Sequence, residues 1–152
     1  MNMHKEFDFV VFGATGFTGK LVVEYLVEKY SDSPDISWAI AGRSSDKLES
    51  VAKLKKVPEE VPLIVADSND IESINNLISN TKCILTTVGP YQLYGNSIIA
   101  ACANSGTDYV DLCGEPGWMH EKINEFNNIA KKSGSRIAVS YTHLTLPTKR
   151  IV

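Results

Sequence analysis

Residues 7–30, FDFVVFGATGFTGKLVVEYLVEKY, join a short apolar run to a helical pattern through glycines at positions 13, 16 and 19. Few folds accommodate that junction. Phe7 to Phe12 have the length and composition of a buried strand, and Leu21, Val22, Tyr25 and Leu26 recur at helical spacing between about Thr18 and Tyr30. Gly13 permits a sharp exit from the strand through a positive φ. Gly16 leaves the turn without a side chain where another molecule would approach the main chain. Gly19 lets the helix lie close against the sheet.

The same alternation continues along the chain. Ile36–Ala41 (ISWAIA, ending at Gly42) is the second strand, and the next helix is capped by Ser44 or Ser45, with Leu48, Val51, Ala52 and Leu54 on one side. Pro58 and Pro62 bracket a loop before the third strand, Leu63–Ala66. A helix over about Asp70–Ser79 turns Ile71, Ile74, Leu77 and Ile78 inward, and the fourth strand, Cys83–Val88, ends at the Gly89-Pro90 turn. Asn96–Ser105 is an Ala-rich helix closed by Gly106. Asp108–Leu112 is the fifth strand, Trp118–Ser133 the last helix, and RIAVS, residues 136–140, the sixth strand. Six strands and five helices in alternation predict an α/β fold, a doubly wound parallel sheet of Rossmann type. Residues 1–140 form one such domain. The tail, YTHLTLPTKRIV at 141–152, has no period and reads as a truncation, a cloning scar or a sequence artefact, with the substrate domain missing.

A glycine turn between the first strand and a helix is the setting of a dinucleotide fingerprint, although the spacing is GxxGxxG rather than the commoner GxGxxG. Free N–H groups and a partial charge of about +0.5 at the helix start favour a diphosphate. The candidate contacts are Gly13, Ala14, Thr15, Gly16, Phe17, Thr18 and Gly19, with the Thr15 and Thr18 hydroxyls as further donors. A glycine-rich connection with no ligand is the alternative.

The tip of the second strand separates the two nicotinamide cofactors. NAD-selective members of this fold place an acid there to bond the ribose 2′-hydroxyl. Here the tip reads Ala41-Gly42-Arg43-Ser44-Ser45, and Arg43 offers a forked cation to a 2′-phosphate instead. Opposite unit charges ~4 Å apart near a protein surface attract by about 4 kcal/mol before desolvation. NADP(H) is therefore preferred, with NAD(H) open if Arg43 is a solvated loop residue or an adenine-stacking partner. Asp67, just past the third strand, is placed to meet the adenine or to cap the next segment. At the switch point between the first and fourth strands, Val88, Gly89 and Pro90 are candidates for the nicotinamide side.

FVVFGATGFTGKL, AIAGRSSDKL, TTVGPYQLYG and SGTDYVDLCGE, in that order, resemble the saccharopine dehydrogenase-like oxidoreductases, which include trans-acting enoyl reductases of lipid synthesis. The resemblance covers roughly residues 6 to 140. It implies an NADPH-holding scaffold for hydride transfer to a C=C or imine acceptor, with a second domain supplying much of the substrate site. It also implies a small-molecule substrate of lipid-like character, and a homo-oligomer is a further expectation. It names no catalytic acid. Tyr91, Tyr94 and Glu115 lie near the crevice, where packing or turn capping competes with substrate positioning. A non-catalytic NADP(H)-binding sensor or scaffold is the rival reading.

A net charge of −3 argues against a nucleic-acid surface, and no apolar stretch reaches the roughly 18–20 residues of a membrane span. The N-terminus runs into a strand rather than a secretory core. Cys83, Cys102 and Cys113 lack disulfide or zinc spacing and read as buried reduced thiols, which makes the cytoplasm the default location. His4, His120 and His143 are too scattered for a metal site. Tyr25 and Lys29 match the YxxxK pattern of short-chain dehydrogenases, but on the first helix rather than near a nicotinamide. An epimerase or reductase of that class would need the pair after the fifth strand.

Overall fold

Val10, Val11 and Phe12 are all essentially inaccessible to solvent, although neighbouring side chains of a strand point to opposite faces. A strand of this kind must lie between two apolar layers. The computed structural model describes residues 5–139, and its sheet is built that way. Six parallel strands run in the order β3-β2-β1-β4-β5-β6, where β1 is Phe7–Phe12, β2 Trp38–Gly42, β3 Leu63–Val65, β4 Thr81–Thr86, β5 Asp108–Asp111 and β6 Ile137–Ala138. Val11 of β1 lies between Ile40 of β2 and Leu85 of β4.

On one face Val11, Ile40 and Ala14 pack with Val23 and Leu26 of α1 (Phe17–Tyr30) and Leu48 and Val51 of α2 (Ser45–Lys55). On the other face Val10, Phe12, Ile84 and Tyr109 share a core with Ile74 and Ile78 of α3 (Ile71–Ser79). Ile98 and Ile99 of α5 (Asn96–Ser105) and Phe126 of α6 (Pro116–Ser133) complete that layer. The chain is therefore the doubly wound α/β sheet expected, and its order reverses between β1 and β4. Gly106 ends α5 at φ 71, the left-handed cap anticipated there.

Several details differ from the sequence reading. The inner stripe of α1 is Gly19, Val23 and Leu26, whereas Leu21 and Tyr25 are 51% and 55% exposed. Gly19 sets the phase of that helix, because it must lie against the main chain of Gly13 and Ala14. Leu54 faces solvent beside the edge strand β3, whose own Leu63 and Val65 are exposed, and Ile71 is exposed in the first turn of α3. β4 starts at Thr81, two residues earlier than expected, because pairing with β1 fixes its limits: Phe7 faces Thr81 and Phe12 faces Thr86. A sixth helix, the short α4 (Tyr91–Tyr94), was not anticipated. Cys102 and Cys113 are buried free thiols, while Cys83 is only half-buried. Ser140 and the tail at 141–152 lie outside the described residues.

Candidate functional site

At the carboxyl edge of the sheet the β1 turn is pressed against the β4 turn. Gly13 has φ +88, and a Cβ there would sit 2.7 Å from Val88 Cγ2 and 2.8 Å from Thr87 Oγ1. The Thr87 amide donates to Phe12 O (2.9 Å) and its hydroxyl to Gly13 O (3.1 Å). The amides of Gly13 and Ala14 both donate to Ala41 O, which ties the turn to β2. Gly19 has no room for a side chain, since a Cβ would overlap Gly13 O and lie 2.8 Å from Ala14 Cα.

Gly16 is different. It is exposed, its φ of −76° and ψ of 173° suit any residue, and a Cβ would approach nothing nearer than Gly13 O at 3.4 Å. The protein's own atoms do not require glycine there. Gly16 is the N-cap of α1, yet no side chain caps the helix and its first turn carries no acid. By contrast Ser44 caps α2 through the Lys47 amide, and Asp70 caps α3 through the amides of Glu72 and Ser73. The positive end of α1 is thus open to an anion.

A cleft of about 200 Å³ above this turn is lined by Gly13, Thr15 and Gly16, by Arg43 on the β2 side, and by Val88 and Gly89 on the β4 side. Those six expected residues converge. Phe17, 84% exposed, and Thr18 stand beside the cleft in the first turn of α1, while Ala14 is buried beneath it. Pro90 follows the lining and leads into α4. Arg43 is exposed, and among the described residues no carboxylate is paired with it. Asp67 does not line the cleft. Its carboxylate accepts the Asn69 amide at 2.9 Å, which closes a local turn, and Ser68 lines the cleft in its place. Sequence reasoning missed Ser68; its position just past a strand's carboxyl end was the available signal.

The remaining crevice candidates serve the protein's own main chain. Glu115 accepts the Tyr91 amide (2.6 Å) and the Gln92 amide (2.9 Å), filling the start of α4. The buried Tyr91 hydroxyl donates to Thr86 O (3.1 Å) and accepts the Leu112 amide (3.2 Å). Burial raises its pKa to about 12. Tyr109 donates to Asp111, whose other oxygen accepts the Cys113 amide. Tyr94 is half-buried on α4. Trp118 packs over Gly95 and donates its indole N–H to Asn96.

A larger hollow of about 690 Å³ opens at the opposite edge, near the amino ends of β1 and β2. Its walls include Glu6, Asp32 and Glu60, charges that repel phosphate, and in sheets of this type ligands sit at the carboxyl edge. Among the described residues no group of three or more His, Cys, Asp or Glu side chains is placed to hold a metal ion, and no helix is long and apolar enough to cross a membrane. Tyr25 faces solvent on α1, away from any role in a Tyr–Lys pair at the cleft.

The sequence profile described as the saccharopine dehydrogenase NADP binding domain matches residues 9–138. A trans-acting enoyl reductase of Mycobacterium leprae is 40% identical over 145 residues, which cover 95% of this chain and 34% of that protein. A lipid droplet localized protein of Caenorhabditis elegans is 39% identical over 133 residues, 84% of this chain and 31% of that protein. The fold is similar to apo saccharopine dehydrogenase (L-Glu forming) of Saccharomyces cerevisiae, with a TM-score of 0.70 at 15% identity over 94% of this chain and 30% of that one. The chain thus spans about a third of the length of the curated relatives it matches.

Proposed function

Because the chain belongs to the family of the saccharopine dehydrogenase NADP binding domain, we propose that it is the cofactor-holding part of an NADP(H)-dependent oxidoreductase that transfers hydride to a C=C or imine acceptor. The observation that carries this reading is the uncapped start of α1, with bare Gly16, in the same cleft as an exposed Arg43. When bound, NADP(H) supplies the hydride from its nicotinamide ring.

The chain's own residues bind and orient. The amides of Phe17 and Thr18, at the positive end of α1, receive the diphosphate, and the missing side chain at Gly16 lets it approach. The hydroxyls of Thr15 and Thr18 are further donors. Arg43 pairs with the 2′-phosphate on the β2 side, which favours NADP(H) over NAD(H). Val88 and Gly89, on the β4 side, border the nicotinamide ribose, and Pro90 carries the chain away into α4. The acceptor, a small molecule of lipid-like character, is met largely by parts of the full-length protein beyond this domain. The compartment is left open by relatives that include a lipid droplet localized protein.

Tyr91 and Glu115 are committed to main-chain partners, which favours a second reading, a domain that senses NADP(H) without turnover. Oxidation of NADPH by the full-length protein with enal or imine acceptors separates the two. The cofactor reading is tested by titrating NADPH and NADH into this domain and into Arg43→Ala. Loss of only ~1.4 kcal/mol of phosphate pairing weakens NADPH about tenfold and leaves NADH nearly unchanged. Equal losses for both would remove the NADP(H) assignment.

A further inference from the structure

The cleft has two rims that β1 holds apart. Arg43 stands beyond β2 on one side, while Val88 and Gly89 extend from β4 on the other. Both rims are tied to β1, through Ala41 O on one side and Thr87 on the other, but beyond those bonds they run into different elements. The β2 rim runs straight into α2, capped by Ser44. The β4 rim runs through Pro90 into α4, a helix of four residues that is too short to hold itself.

What fixes the start of α4 comes from the next strand. Glu115, past the end of β5, sends its two carboxylate oxygens to the amides of Tyr91 and Gln92, at 2.6 and 2.9 Å. Both are charge-assisted bonds, the stronger kind. The Tyr91 side chain makes the return link, its hydroxyl bridging Thr86 O at the end of β4 and the Leu112 amide at the end of β5. The segments GPYQLYG and YVDLCGE thus interlock: one supplies amides and a phenol, the other a carboxylate and an amide.

Resting on the NADP(H) reading above, we infer that Glu115 is a positioning residue for the nicotinamide half of the cofactor. It acts through the start of α4 to hold the Val88–Gly89 rim at the cleft. It has no part in binding the adenosine half, whose rim is on the far side of β1.

Glu115→Gln tests the inference, because the amide keeps the shape but turns an NH2 group toward one of the two N–H donors. Two ligands are titrated into the chain and its variant: NADPH, and adenosine 2′,5′-bisphosphate, which lacks the nicotinamide half. The variant is expected to bind NADPH about tenfold more weakly, the share of one charged hydrogen bond, and the bisphosphate as before. The emission of bound NADPH at saturation should change as well. A merely structural role would weaken both ligands alike. Should Glu115→Gln not fold, Tyr91→Phe loosens the same turn from Thr86 and Leu112 and carries the same expectation. Unchanged NADPH binding, or equal losses for both ligands, overturns the inference. If the unaltered chain binds neither ligand, the NADP(H) reading falls and takes this inference with it.

Discussion

Gly16→Ser should make the protein more stable and unable to hold its cofactor. The backbone at Gly16, φ −76° and ψ 173°, is the extended conformation of an N-cap, and a Cβ there stays at least 3.4 Å from its neighbours. Serine is a favoured N-cap, and its advantage over glycine is a few tenths of a kcal/mol. Restricting the unfolded chain adds about 0.4–1 kcal/mol. A gain of about 1 kcal/mol raises Tm by roughly 2–4 °C in a chain of this size. The new hydroxyl would take an amide of Thr18 or Gly19 and stand where the diphosphate must come. Hydrogen bonds to charged groups are worth about 1.5–3 kcal/mol each. Losing two of them weakens NADPH by more than about a hundredfold. The assay is thermal unfolding with and without NADPH. Ligand at about 100 times its Kd stabilises the unaltered chain by about 2.7 kcal/mol, whereas the variant should melt slightly higher alone and gain nothing from NADPH. A folded variant that kept the full NADPH-dependent shift would refute the reasoning.

Two other outcomes follow from the same geometry. Gly19→Ala forces a methyl into Gly13 O and Ala14 Cα and should destabilise the fold by about 1–3 kcal/mol or more, read as a fall in urea midpoint, in contrast to Gly16→Ser. Burial raises Tyr91 to about 12 and shifts Tyr109 upward too. Unfolded tyrosine ionises near pH ~10, so the unfolded chain loses its protons first. Stability should be intact below about pH 10 and fall as the pH rises toward 12, and Tyr91→Phe should flatten part of that fall in urea midpoints.

Where local pattern and tertiary demand coincide, the sequence was legible. β1 and α5 begin and end where expected, because a run buried on both faces and an Ala-rich helix closed by Gly106 need no distant partner to define them. The limits of β4 were not readable: the apolar pattern CILTTV continues beyond the strand, whereas Thr81 and Lys82 look polar. Register against Phe7 includes them, and Lys82 pairs with Asp8. The face of α1 was misjudged because Leu21 is as apolar as Val23 and Leu26, and Tyr25 carries a large apolar ring, although both face solvent. The contact of Gly19 with the turn decides the phase. At the cleft, the glycines and Arg43 announced themselves through residue type and position. Glu115 was singled out with turn capping among its uses, but which amides it caps was not readable, since they lie 23 and 24 residues away and meet it only through strand order. Asp67 was open to two uses, and its carboxylate accepts the Asn69 amide in a local turn.

Backbone amide NMR during titration with NADPH addresses the diphosphate site most directly. The largest shifts should fall on Gly16, Phe17 and Thr18, followed by Arg43 and the Val88–Gly89 pair, with residues 31–37 and 60–62 at the opposite hollow undisturbed. Shifts confined to that hollow, with the start of α1 unmoved, would contradict the account.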